Sequence, residues 1–163
     1  MVSLDTYRLL LDTITMIIVL DNLRSAHNVG SIIRTCDALG IKEIHFCGIT
    51  PGPGDKRVKK TALGAEKNII AKERIDTYSD LEGLKKDGYR VIGLEITKNA
   101  RNLGELKENG QIVLVVGNEV SGLSEETQRQ CHLITQIPMR GIKESMNVSV
   151  AFGIAAYIIT NGQ

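Results

Sequence analysis

Five consecutive apolar residues, Ile112-Val-Leu-Val-Val116, constrain this chain more than any other feature. A strand with no polar residue at alternate positions has no face to offer water, so it must be covered on both sides. Such strands belong to parallel sheets flanked by helices. Further strand runs are expected at Met16–Leu20, Glu43–Cys47, Arg90–Ile96 and Leu133–Ile137. They alternate with helical patterns at Thr6–Thr13, Val29–Leu39, Ser79–Lys86, Glu125–Cys131 and Ser145–Thr160. The alternation predicts an α/β fold, a mostly parallel sheet with helices on both faces. A chain of 163 residues is the size of one domain. We expect a single domain over residues 1–163, with residues 1–15 an N-terminal helical extension.

In an open parallel sheet, ligands bind beyond the carboxyl ends of the strands. Three polar segments follow expected strands: Asn28-Val-Gly-Ser-Ile-Ile-Arg34, Gly117-Asn-Glu-Val-Ser-Gly-Leu-Ser124, and the run from Ile137 to Ala151. In the third, an apolar strand end meets Pro138, crosses a loop with Gly141, and enters a helix through Ser145 and Asn147. Free backbone N–H groups at a helix start can grip a polar ligand. Three such loops in one small domain predict one composite site. The chain has no G-x-G-x-x-G and no G-x-x-x-x-G-K-[ST], which disfavours a dinucleotide or P-loop site. It also lacks G-x-S-x-G and a Ser/His/Asp set, so hydrolysis has no visible machinery.

The net charge of +1 is uninformative, but its distribution is not. Between Asp55 and Arg74 stand seven basic and three acidic residues. Their tightest group, Lys56-Arg57-Val-Lys59-Lys60, has two readings, a phosphate-binding patch or a solvated loop. Cys36, Cys47 and Cys131 are odd in number and far apart, which argues against a disulfide framework and for a reducing compartment. His27, His45 and His132 lack metal-ligand spacing, so no metal is expected. The N-terminus has no basic region typical of a signal peptide. The longest apolar stretch, Val148 to Ile159, is about half a membrane span. A cytoplasmic protein with no membrane association is expected. That last helix has almost no polar face, so part of its cover is expected from a second subunit.

The three polar segments resemble the motifs of the SpoU (TrmH) family of RNA ribose 2′-O-methyltransferases, in the SPOUT superfamily. Asn28-Val-Gly-Ser-Ile-Ile-Arg34-Thr-Cys-Asp-Ala-Leu-Gly40 is similar to the first motif. Ile112 to Ser124 is similar to the second, and Ile137 to Gly153 to the third. The likeness runs in order from about Ile17 to the C-terminus. It implies a deep C-terminal trefoil knot, which general rules of chain topology would have rejected. It also implies S-adenosylmethionine as cofactor and a homodimer made through the last helix. The substrate would be structured RNA, with no separate RNA-binding domain expected, and transfer RNA is favoured over ribosomal RNA because a compact core with one basic loop can cover a small stem-loop.

The resemblance also assigns roles. Arg34 matches the family's catalytic arginine, and Asn28 and Glu119 are implied to orient it. A guanidinium stays protonated near neutral pH, so Arg34 suits hydrogen-bond donation to the reacting oxygen and a phosphate rather than a base. Ser145 and Asn147 match the pair placed near the methyl donor and the ribose. Asn28 and Ser145 could equally act as helix caps. Leu94, Gly117, Ile137, Met139, Ser145 and Met146 are the implied cofactor contacts. Met146 stands where relatives usually carry Leu, a near-isosteric change. The rival readings are a ribosomal RNA methyltransferase, a catalytically silent RNA-binding module of the same fold, and a flavodoxin-like nucleotide binder.

Overall fold

A computed structural model describes residues 14–161 of the chain. Seven strands occur among them: β1 (Thr15–Asp21), β2 (Glu43–Cys47), β3 (Ile70–Arg74), β4 (Arg90–Leu94), β5 (Arg101–Asn102), β6 (Gln111–Val116) and β7 (Leu133–Gln136). They form one sheet in the order β3-β2-β1-β6-β4-β7-β5, and every ladder in it is parallel. Five helices accompany it: α1 (Ala26–Leu39), α2 (Lys56–Ala62), α3 (Thr77–Lys86), α4 (Glu125–Gln130) and α5 (Val148–Asn161).

The apolar run Ile112–Val116 lies in β6, at the middle of the sheet between β1 and β4. Alternate side chains of a strand point to opposite faces, and here both faces are buried. Ile18, Leu20, Ile112, Leu114 and Val116 join the larger core, with Val29 and Ile33 of α1 and Phe152 and Ala155 of α5. Ile17, Val19, Val113 and Val115 join the second core, with Leu81 and Leu84 of α3. The uninterrupted run is therefore explained by helices on both sides.

Five of the strands were legible, but β3 and β5 were not. β3 carries Ile-Ala-Lys-Glu-Arg at an edge of the sheet and shows no alternation, and β5 is two residues long. The cluster Lys56–Lys60, whose readings included a loop, is helical as α2. Asp55 caps its start by accepting from Arg57 N at 2.8 Å, and Val58 and Ala62, one turn apart, are buried. Gly30 on α1 allows the two helices to approach. A Cβ there would lie 2.7 Å from Val58 O and from Thr61 Cβ. The last helix begins at Val148 rather than Ser145. The expected helix Thr6–Thr13 lies outside the described residues, and Thr15 of the expected extension already belongs to β1. No helix among the described residues is long and apolar enough to cross a membrane.

Candidate active site at the carboxyl ends of the strands

The three polar segments converge where β1, β4, β6 and β7 end. Their link is a chain of side-chain hydrogen bonds between residues far apart in sequence. The loop after β6 carries Glu119, whose Oε1 accepts from Ser25 N at 2.9 Å and from Asn28 Nδ2 at 3.1 Å. Its Oε2 accepts from Arg24 N at 3.0 Å. Asn28 in turn uses Oδ1 to accept from Asn147 Nδ2 at 3.1 Å. Glu119, Asn28 and Asn147 thus tie the second, first and third segments together.

Each member is placed by local structure. Ser25 is the N-cap of α1, and its hydroxyl accepts from Asn28 N at 3.2 Å. Asn28 is therefore in the first turn rather than capping, which leaves its amide free to bridge. Asn147 caps α5: its Oδ1 accepts from Ser149 N at 2.8 Å and Ser149 Oγ at 2.6 Å. Ser145 lies in the preceding loop and is exposed, so the cap role considered for it falls to Asn147. Partial burial pushes the Glu119 carboxyl upward, but hydrogen bonds from Arg24 N, Ser25 N and Asn28 outweigh it. The net shift is downward, so Glu119 is a carboxylate at neutral pH.

A cavity of about 400 Å³ opens beside this network. Leu94, Gly117, Ile137, Met139, Ser145 and Met146 all line it, together with Asn28, Glu119 and Asn147. Glu95 also lines it, a residue that the sequence reading missed. Its signal was its position just after the end of β4, where a parallel sheet places ligand contacts.

Arg34 lies elsewhere. It is exposed on α1, and among the described residues it makes no hydrogen bond or ion pair. Six residues of helix put it about 120° around the axis from Asn28, so no hydrogen bond joins it to Asn28 or Glu119. The implied orienting role of those two residues is therefore not a direct contact. Arg34 lines a second, more open cavity of about 650 Å³ with Arg24, His27, Arg57 and Lys60. Lys56 and Lys59 are exposed on α2 but do not line it. Arg24 and His27 were also missed, although both flank the first motif. The two cavities meet across the first turn of α1, where Glu119 in one wall holds the backbone of Arg24 and Ser25 in the other.

The cysteines stand apart from both cavities, and burial pushes their thiols up, Cys47 and Cys131 to about 12. Thiols so raised are not thiolates at neutral pH. No group of three side chains suited to a metal ion occurs among the described residues.

Comparison with known proteins gives consistent relatives. The model of the SpoU rRNA Methylase family matches residues 15–157. The chain is 30% identical over 151 residues to a 23S rRNA (guanosine-2′-O-)-methyltransferase RlmB of Coxiella burnetii, covering 90% of this chain and 58% of that protein. The crystal structure of an AdoMet-bound rRNA methyltransferase from Sinorhizobium meliloti superposes with a TM-score of 0.82 at 26% identity, over 87% of this chain and 54% of the other. A structure described as giving insights into the 2-OH methylation of C/U34 on tRNA superposes with a TM-score of 0.80 at 26% identity. There the match covers 93% of this chain and 99% of the other. The chain thus spans little more than half of the first two proteins and nearly all of the third.

Proposed function

The chain belongs to the SpoU rRNA methylase family, and from that premise we propose that it methylates a ribose 2′-hydroxyl of structured RNA, using S-adenosylmethionine. Transfer RNA is the favoured substrate over ribosomal RNA. The observation that carries the reading is the bonded chain Glu119–Asn28–Asn147, which closes one wall of a ligand-sized cavity beside an open, cation-lined one.

The residues present fit the cofactor. A cavity of about 400 Å³ is within the usual range for small-molecule sites. Leu94, Ile137, Met139 and Met146 offer apolar walls for a purine, and the backbone at Gly117 and Ser145 offers polar contacts. The bound cofactor supplies an electrophilic methyl on a sulfonium. The chain supplies the rest. Arg34, Arg24, Arg57 and Lys60 hold the phosphodiester backbone next to the target nucleotide. Asn147, fixed by Asn28, orients the ribose at the junction of the two cavities. Arg34 donates to the 2′-oxygen as negative charge develops there, while the proton leaves to water or phosphate. Lys56 and Lys59 extend the positive surface along α2.

Three further readings go with this one. Val150, Ile154 and Tyr157 form an exposed stripe on α5 at helical spacing, opposite the buried Phe152, Ala155 and Ile159. A second copy of the chain covers that stripe, making a homodimer. The C-terminal part forms the family's deep trefoil knot. Its support is that β7 lies on the far side of β4 while α5 packs on α1, so residues 137–147 must cross the strand ends. The enzyme works in the cytoplasm. A smaller relative acting on tRNA, matched almost end to end, favours tRNA as substrate.

The test is methyl transfer from labelled S-adenosylmethionine to purified tRNA and rRNA, followed by nucleoside analysis. A labelled 2′-O-methylnucleoside in tRNA is expected. Label on a base, or on neither RNA despite tight RNA binding, would overturn the reading and favour a silent binding module.

A further inference from the structure

The cofactor cavity holds two carboxylates, Glu95 and Glu119, and no Lys, Arg or His among its lining residues. The two are not equivalent. Glu119 sits against the start of α1, where the helix dipole is positive, and accepts from Arg24 N, Ser25 N and Asn28 Nδ2. Its charge is largely answered by the protein. Glu95 accepts only two backbone donors, Leu123 N on Oε2 at 2.7 Å and Ile96 N on Oε1 at 2.8 Å. An ionised carboxylate has about four acceptor sites, so acceptor capacity remains on each oxygen. Glu95 is in no helix N-terminus and, among the described residues, forms no ion pair.

Its position is also built. Gly122 has φ +67°, and a Cβ there would lie 2.2 Å from Glu95 Oε2. Only glycine at 122 lets this carboxylate reach the loop after β6 and remain in the cavity wall. The same bond fastens the loop that carries Gly117 and Glu119 to the end of β4.

We propose that Glu95 supplies the uncompensated negative charge of the cavity and makes the site prefer the cationic sulfonium of S-adenosylmethionine to the neutral thioether that transfer leaves behind. This inference rests on the cavity being the cofactor site. Glu95 is then a specificity residue that favours substrate binding and product release by charge. For one ion pair across a cavity at an effective dielectric of about 20, a preference on the order of tenfold in affinity is expected.

Calorimetric titration of wild type and Glu95→Gln with S-adenosylmethionine and with S-adenosylhomocysteine tests this without any turnover. Glutamine keeps the size and an acceptor for Leu123 N, so the loop stays fastened. Wild type is expected to bind the sulfonium about tenfold more tightly than the thioether. Glu95→Gln is expected to lose about tenfold for the sulfonium and less than about twofold for the thioether. Equal weakening of both ligands would reduce Glu95 to a loop fastener and overturn the proposal, as would no change in either. Equal affinity of wild type for the two ligands overturns it without recourse to any variant. Binding of neither ligand by folded wild type would instead bring down the cofactor reading on which the proposal rests.

Discussion

Of the seven cations between Asp55 and Arg74, four stand on α2 and two on β3, and these two surfaces have opposite habits. On β3, every cation is answered. Lys72 Nζ is 2.5 Å from Glu43 Oε1, and Arg74 Nε is 2.7 Å from Asp80 Oδ1. Buried His45 stands between Asp80, at 2.6 Å, and Glu43, at 2.9 Å. Around α1 and α2 the opposite holds. Arg24, Arg34 and Lys60 line one cavity and form no ion pair among the described residues; only Arg57 is held, by its neighbour Asp55. Charge closed within a protein serves the fold, whereas charge left open beside a cavity is free to meet a polyanion. A sequence count of +4 could not distinguish them.

Mutation distinguishes the two surfaces. Among the open cations Arg34 should matter most. Arg34→Ala is expected to lower the single-turnover methyl-transfer rate by about 10²–10³-fold, the scale of losing one donor to a developing oxyanion. Binding of S-adenosylmethionine should stay unchanged, because Arg34 does not line that cavity. Arg34→Lys should rescue little, since one ammonium cannot reproduce a planar fork. A wild-type rate in the alanine variant would remove Arg34 from the chemistry.

Among the closed charges, Asp80→Ala should act on stability instead. It strips a carboxylate from buried His45, at a cost of about 2–3 kcal/mol in urea unfolding. The salt dependence of RNA binding should be untouched. A change in that slope would mean that the β3 cluster also faces RNA.

Replacing Lys56, Arg57, Lys59 and Lys60 together by Ala should weaken RNA binding and flatten its salt dependence. Each lost phosphate contact should lower the log–log slope by roughly 0.7–0.9. Arg57 and Lys60 line the cavity and the other two do not, so a Arg57/Lys60 double variant should carry more of the loss than Lys56/Lys59. Equal losses from the two pairs would mean that α2 is read as a whole surface.

The smallest effect concerns Glu119. Its carboxyl titrates below the ordinary range in the folded protein, so its stabilisation is complete above the unfolded value of about 4.3. That contribution is lost as pH falls through the lower, folded value. Urea unfolding of wild type and Glu119→Gln should therefore show a gap at about pH 6 that shrinks below about pH 4. A gap independent of pH would mean that the hydrogen bonds, rather than the charge, hold the three segments.

Much of this was legible beforehand, for physical reasons that differ by region. β6 announced itself because burial on both faces removes every polar residue from a strand. Glu119, Asn28 and Asn147 were singled out by motifs, and the structure joins them by hydrogen bonds. Charge hid α2: the lysines suggested a solvated loop, although Asp55 as cap and Val58 and Ala62 at helical spacing were present in the sequence. β3 was hidden because an edge strand need not bury alternate side chains. Glu95 had only its position after β4 as a signal, and its bond to Leu123 N beside Gly122 spans a separation that no local pattern encodes. The place of Arg34 on a wall separate from Asn28 follows from helix geometry, which the motif alone did not convey.

Ribose methylation of RNA by this chain is tested by mapping 2′-O-methyl groups across total RNA from cells with and without the gene. One ribose methyl in a transfer RNA is expected to disappear and to return with the wild-type gene but not with Arg34→Ala. A loss confined to ribosomal RNA would contradict the choice of tRNA while keeping the chemistry. An unchanged ribose-methylation map in both RNA classes would contradict the claim itself.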